Sequence, residues 1–229
     1  MPNRSFEALA AGVPACIGIA IAHPGTAGAY SLGQWSTGVA WSTIKVPLAI
    51  AALRRDPERA KPLVIKAITE SDNPASEDLW AQLGEPAVAA RHVQAVITAA
   101  GDPATAVEER RIRPGFTAFG QTRWTLARQA VFAANLADVA GSAPVIDLMR
   151  RPAAEQCWGL AAKGVAAKGG WGPGVDGGYL VRQFGMVPLD RVRLGVALAA
   201  EAADFGTGVR VLSTMADWLT DQLPELARG

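Results

Sequence analysis

Three short runs in the chain carry side chains able to act on an acyl group. The first is W-S-T-I-K-V-P, residues 41–47. Positions i and i+3 share a helix face, so Lys45 reaches Ser42 there. A serine hydroxyl is a poor nucleophile without a base. Lysine serves as that base when burial and neighbouring cations lower its pKa. The earlier W-S-T, at 35–37, has Val39 three residues after Ser36 and no base, so it reads as scaffold. A serine N-cap followed by a surface lysine would look the same as the second copy. Chance gives about 0.2 such S-x-x-K pairs in this composition. The second run, Ser71-Asp72-Asn73, is sharper, with about 0.005 expected by chance. Asn73-Pro74 also reads as the N-cap and first residue of a helix over 74–83, which leaves Ser71 unexplained. The third is Lys168-Gly169-Gly170-Trp171 after the apolar run G-V-A-A. Its lysine brings charge to a strand edge, and its glycines let another backbone come close. A strand-end lysine before a Gly-rich turn is the plainer alternative.

The elements that must position these runs follow from periodicity. A helix over about 4–12 leads to a strand at Cys16–Ala22, the turn residues H-P-G-T and a second strand near 28–33, a hairpin. Ala8–Ala22 is apolar, follows Arg4 and ends in A-I-A, like a signal-peptide cleavage site. Glu7, Gly12 and Pro14 interrupt it, and it is too short to span a bilayer. From Ser42 to about Leu136 the pattern is helical. Val46–Leu53 is apolar on most sides, as for a helix buried all round, with Pro47 near its first turn. Further helices are predicted at 60–70, 74–83, 86–100 and 124–137, a loop at 102–122 and a short helix at 143–149. Val165–Lys168, Gly178–Val187 and Arg193–Glu201 read as strands. Gly206–Leu223 has apolar residues at helical spacing. The order implies an α/β fold, a three-layer α+β sandwich: an antiparallel sheet flanked by terminal helices, with an all-α subdomain inserted. Residues 1–229 form a single domain, its α/β half from 1–41 plus 138–229 and its all-α half from 42–137.

Composition narrows the function classes. The 229 residues are 50% hydrophobic and 19% charged, which suits a globular chain. With 22 basic and 21 acidic residues the net charge is +1, so nothing suggests a nucleic-acid or membrane-surface partner. Cys16 and Cys157 sit in apolar sequence and read as buried thiols. His23 and His92 stand alone, so no metal site is expected, and nothing implies a cofactor.

In this order, S-x-x-K, S-D-N and K-G-G resemble the signature of the serine β-lactamase and penicillin-binding-protein family, nearest to class A β-lactamases. The similarity covers most of the chain, and the run G-G-Y-L-V-R-Q-F-G-M-V…R-L-G-V-A-L-A-A resembles the family's paired strands after its lysine motif. The family's architecture, a split sheet around a helical block, is the one read above. The resemblance implies that Ser42 is the acylated nucleophile, with Lys45 taking its proton. Ser71 would pass a proton to the leaving nitrogen and Asn73 would hold the substrate's side-chain amide. Lys168 would attract its carboxylate, with Gly169, Gly170 and Trp171 along the binding strand. The N–H groups of Ser42 and Trp171 would form the oxyanion hole.

Departures from the pattern matter. The interval from Ser42 to Ser71 is short, so part of the helical domain is expected to be missing. K-G-G lacks the hydroxyl of K-T-G, and Trp171 stands where a small residue is usual. Class A enzymes activate the deacylating water with a glutamate on a loop after S-D-N. Glu108 and Glu109 lie at a fitting distance, without the E-x-x-L-N pattern, and also read as a solvated charge run. Gln121 and Thr122 are lesser candidates, and Arg182 is a candidate for the substrate carboxylate. The expected function is a serine acyl hydrolase acting on β-lactams, with a small-molecule β-lactam, acyl peptide or ester as partner. The alternatives are a penicillin-binding peptidase or esterase with slow deacylation, and a non-catalytic binding protein on the same scaffold. The compartment is left open, cytoplasmic as the chain stands or periplasmic with a leader, and so is the oligomeric state.

Overall fold

The computed structural model describes residues 2–174 and 177–226. Helix α1 (Pro2–Gly12) leads into strands β1 (Ala15–Ala22) and β2 (Tyr30–Gly33), and a three-residue strand β3 (Thr37–Val39) follows. The helical stretch holds α2 (Lys45–Arg55), α3 (Pro57–Thr69), α4 (Asn73–Leu83) and α5 (Pro86–Ala99). After the loop come β4 (Arg123–Thr125), α6 (Leu126–Asn135) and α7 (Ala143–Met149). The chain then returns through β5 (Ala166–Pro173), β6 (Tyr179–Leu189) and β7 (Val192–Ala202) to α8 (Phe205–Leu226).

The main sheet is antiparallel throughout, in the order β2-β1-β7-β6-β5. N-terminal β1 thus pairs with C-terminal β7, Ala15 opposite Ala202 and Ala22 opposite Gly195. Helices cover both faces, so side-chain alternation sorts two cores and neither face needs polar residues. On β7, Leu194, Val196 and Leu198 point toward the layer of α1 and α8, with Phe6, Leu212 and Met215. Ala197 and Ala199 point the other way, toward Phe132 and Trp124. Small residues on that face let α6 lie close. At Gly195 a Cβ would sit 2.0 Å from the Ala130 carbonyl oxygen of α6, so no side chain fits.

The α/β architecture with terminal helices on one face is the one the periodicity gave. Three details differ. Residues 123–125 are not the start of a helix: they pair with Thr37–Val39 as a second, two-stranded sheet, and Thr125 caps α6 by accepting from the Arg128 N–H at 3.2 Å. Three-residue strands carry too little alternation to be read. Helix α6, within the stretch expected to be all-α, packs across β1, β6 and β7. Cys16 and Cys157 are free and exposed rather than buried. Cys16 precedes the six-residue buried run of β1, and Cys157 follows a turn, so apolar neighbours in sequence give them no cover.

Candidate active site

Ser42 sits in a 3₁₀ turn, Trp41–Ile44, that runs directly into α2. Trp41 before it has φ +50°, a left-handed conformation that costs a bulky residue about 1–3 kcal/mol and persists only where its surroundings enforce it. The surroundings here are specific. The Ala40 N–H donates to the Thr122 carbonyl at 2.7 Å. The Thr43 hydroxyl donates to the Ala40 carbonyl at 2.5 Å and accepts from Gln129 Nε2 at 2.9 Å. Gln129 Oε1 accepts in turn from Arg182 Nη2 at 2.9 Å. Arg182, fully buried, also donates to the carbonyls of Gly38, Val39 and Trp124. Strand β5 closes the other side. A Cβ on Gly170 would lie 2.8 Å from the Ser42 nitrogen and 2.9 Å from the Ala40 oxygen, so the two backbones are in contact.

Both lysines converge on Ser71, itself at φ +61°. Lys45, 1% exposed on α2, donates to the Ser71 carbonyl and, at 2.8 Å, to Asn73 Oδ1. Lys168, 2% exposed on β5, donates to Ser71 Oγ at 2.9 Å and to the Gly169 carbonyl at 3.1 Å. Burial pulls Lys45 down to about 7, against the charges of Asp72 and Glu77, which raise it. Lys168 is held well below the ordinary lysine value by burial first and by the charge of Lys45 second. Asn73 is not the cap of α4. Asp72 is, accepting from the Ala75 N–H at 2.6 Å, which frees the Asn73 side chain for Lys45.

Ser42, Lys45, Asn73 and Trp171 line one cleft of about 510 Å³, walled by Trp41, Phe116 and Tyr179. Among the described residues none shares a hydrogen bond with the Ser42 hydroxyl. Trp171 packs against Phe205 at 5.2 Å and Trp158 at 6.1 Å, on the face of β5 where Trp158 meets Gly169. An amine with a lowered pKa in the same cleft as an unbound hydroxyl, with a strand edge alongside, is the equipment of nucleophilic acyl transfer.

Several expected residues lie elsewhere. Glu108 and Glu109 do not line the cleft. Glu108 turns back on its own loop, accepting from the Arg110 N–H at 2.9 Å, and its N–H donates to the Thr122 hydroxyl at 3.0 Å; Glu109 is exposed. Gln121 is buried and stitches the loop, accepting from the Arg113 N–H at 2.7 Å. Arg182 faces the interior, fully buried, and donates to four oxygens there, counting Gln129, so it does not meet a substrate. At Gly169 the room for a Cβ is taken by Trp158, 2.6 Å away, so this glycine serves packing on the far face.

Two residues escaped the sequence reading. Glu77 lines the cleft and pairs with Arg111 at 2.8 Å. Its place four residues after Asn73 on a helix was a usable signal. Arg113 donates to the Pro173 carbonyl at 2.9 Å and lies over Phe116 at 4.8 Å, joining the loop to the end of β5. No short-range pattern announces that contact.

No protein-family model and no curated protein matches the chain. Solved structures do match in fold. The TLA-3 extended-spectrum β-lactamase is 13% identical with TM-score 0.76, over 97% of this chain and 98% of that one. A β-lactamase from Streptosporangium roseum is 16% identical with TM-score 0.70, over 97% and 98%. The ancestral class A β-lactamase of Gram-negative bacteria is 18% identical with TM-score 0.68, over 96% and 99%. The chain has the class A β-lactamase fold, as the order of its motifs and elements implied.

Proposed function

We propose that the protein is a serine acyl hydrolase that forms an acyl-enzyme at Ser42, with β-lactams as its substrate class. The observation that carries the proposal is Lys45: a buried amine with a pKa of about 7, in the same cleft as the Ser42 hydroxyl and near Ser71. Neutral Lys45 takes the hydroxyl proton as Oγ attacks the carbonyl carbon. The carbonyl oxygen, now negative, meets the N–H groups of Ser42 and Trp171, each such donor contributing about 2.7–4 kcal/mol to barrier lowering. As the C–N bond breaks, Ser71 gives its hydroxyl proton to the leaving nitrogen, and the proton held by Lys45 restores Ser71. Lys168 orients the Ser71 oxygen. Asn73, its oxygen engaged by Lys45, presents its NH₂ group to the substrate.

A second substrate class, peptides or open-chain esters, is favoured by one feature. The K-G-G run offers no side-chain hydroxyl for a carboxylate. The test is intact-mass spectrometry against time with benzylpenicillin and, separately, p-nitrophenyl acetate, with Ser42→Ala as control. A Ser42-dependent adduct with penicillin supports a β-lactam substrate; one with the ester alone supports the second class; none with either contradicts acyl transfer.

A further inference from the structure

We infer that Glu77 is the general base that activates water to hydrolyse acyl-Ser42, an assignment that rests on the acyl-enzyme reading above. Hydrolysis of an ester in a cleft needs a group to take a proton from water. Among the described residues Glu77 is the sole carboxylate lining the cleft that holds Ser42, Lys45 and Asn73. It follows Asn73 by one turn of α4, so both side chains leave the helix on the same side. Its side chain is 32% exposed, open enough for water. Oε1 is held by Arg111 Nη2 at 2.8 Å, and among the described residues Oε2 has no partner. The arginine fixes the orientation of the carboxylate. The other acids nearby are engaged or turned away: Asp72 caps α4, Glu108 bonds Arg110, and Glu109 faces solvent. The loop 102–122 thus supplies an arginine to the cleft, and the carboxylate comes from the helix opposite.

Glu77 takes one proton from water while the water oxygen bonds to the ester carbonyl carbon. The bond from that carbon to Ser42 Oγ then breaks with its electron pair on Oγ, and the proton passes from Glu77 to Oγ. The products are a carboxylic acid and the free hydroxyl. Glu77 is not needed for acylation. Its charge raises the Lys45 pKa, so its removal leaves more neutral Lys45 at a given pH.

The test is intact-mass spectrometry on the full chain mixed with benzylpenicillin and with p-nitrophenyl acetate, comparing wild type, Glu77→Gln and Glu77→Asp. The wild-type adduct is expected to form and clear. Glu77→Gln is expected to acylate at least as fast and to clear the adduct about 100-fold slower or worse, the usual contribution of a general base. Glu77→Asp, which keeps the carboxylate, is expected to clear it at an intermediate rate and so separates lost chemistry from lost folding. Equal clearance by wild type and Glu77→Gln overturns the assignment, as does a wild-type adduct that never clears; both leave acylation standing. Absence of any wild-type adduct removes the acyl-enzyme reading itself, and this assignment with it.

Discussion

Gly170→Ala tests the contact between β5 and the Ser42 turn. A Cβ there would lie 2.8 Å from the Ser42 nitrogen, and ordinary contact begins at 3.4 Å, so the backbones must part by about 0.6 Å. The Thr43 nitrogen and Ala40 oxygen, both at 2.9 Å, block the simple escapes. No flexible side chain is present to give way, so the Ser42 N–H and its hydroxyl are displaced. Loss of one oxyanion donor costs about 2.7–4 kcal/mol, which is a fall of roughly 100- to 1,000-fold in acylation. Overpacking separately costs about 1–3 kcal/mol of stability. The neighbouring Gly169→Ala is the control. Its Cβ meets Trp158 at 2.6 Å on the opposite face of β5, so it is expected to lose comparable stability with acylation slowed less than tenfold. The assay is the rate of adduct formation with benzylpenicillin or p-nitrophenyl acetate, beside thermal unfolding of both variants. Wild-type acylation by Gly170→Ala, or an equal loss in Gly169→Ala, would refute the reasoning.

Further outcomes follow from the same network. Acylation is expected to rise with pH through about 7 as Lys45 loses its proton, and a rate flat or falling across that range contradicts its role as base. In the unfolded chain Lys45 stays protonated to about the ordinary lysine value of 10.5, but in the fold only below about 7, so the unfolded state binds the extra proton between those values. Lys168 acts in the same sense. Stability is therefore expected to rise from pH 7 toward 10, and Lys45→Met should reduce the slope by up to about 1.4 kcal/mol per pH unit in denaturant titrations. Gln129→Leu breaks the link from Arg182 to Thr43 and leaves buried groups unpaired, a loss of about 1–3 kcal/mol. It is expected to lower kcat about tenfold with KM little changed; an unchanged kcat would show that the turn holds without it.

The sequence made the motif order, the terminal helices and the sheet strands legible, because each lies in a long periodic run or a run too improbable for chance. Lys45 could be paired with Ser42 by helix spacing, and Lys168 with Ser71 only through the family resemblance. The base proposed for deacylation, Glu77, could not be found that way. Glu108 and Glu109 had the right chain distance, but a nearby Arg110 captured the first, and distance along a loop says nothing of direction. Glu77 looks like an ordinary helical glutamate, and only its place one turn after Asn73 sets it apart. Arg182 was misread because a strand arginine near a lysine motif suggests an anion, whereas four interior oxygens engage it. The bonds that fix Trp41 at positive φ join segments some 80 to 140 residues apart, and no local pattern encodes them.

On the proposed reading, the hydroxyl of Ser42 is the group that becomes acylated. Quenching the benzylpenicillin and p-nitrophenyl acetate reactions early, digesting the protein and mapping the label by peptide mass spectrometry tests it most directly. The acyl group is expected on Ser42 alone, and absent after Lys45→Met. A label on Ser36 or Ser71, or an unlabelled chain with both reagents, would contradict it.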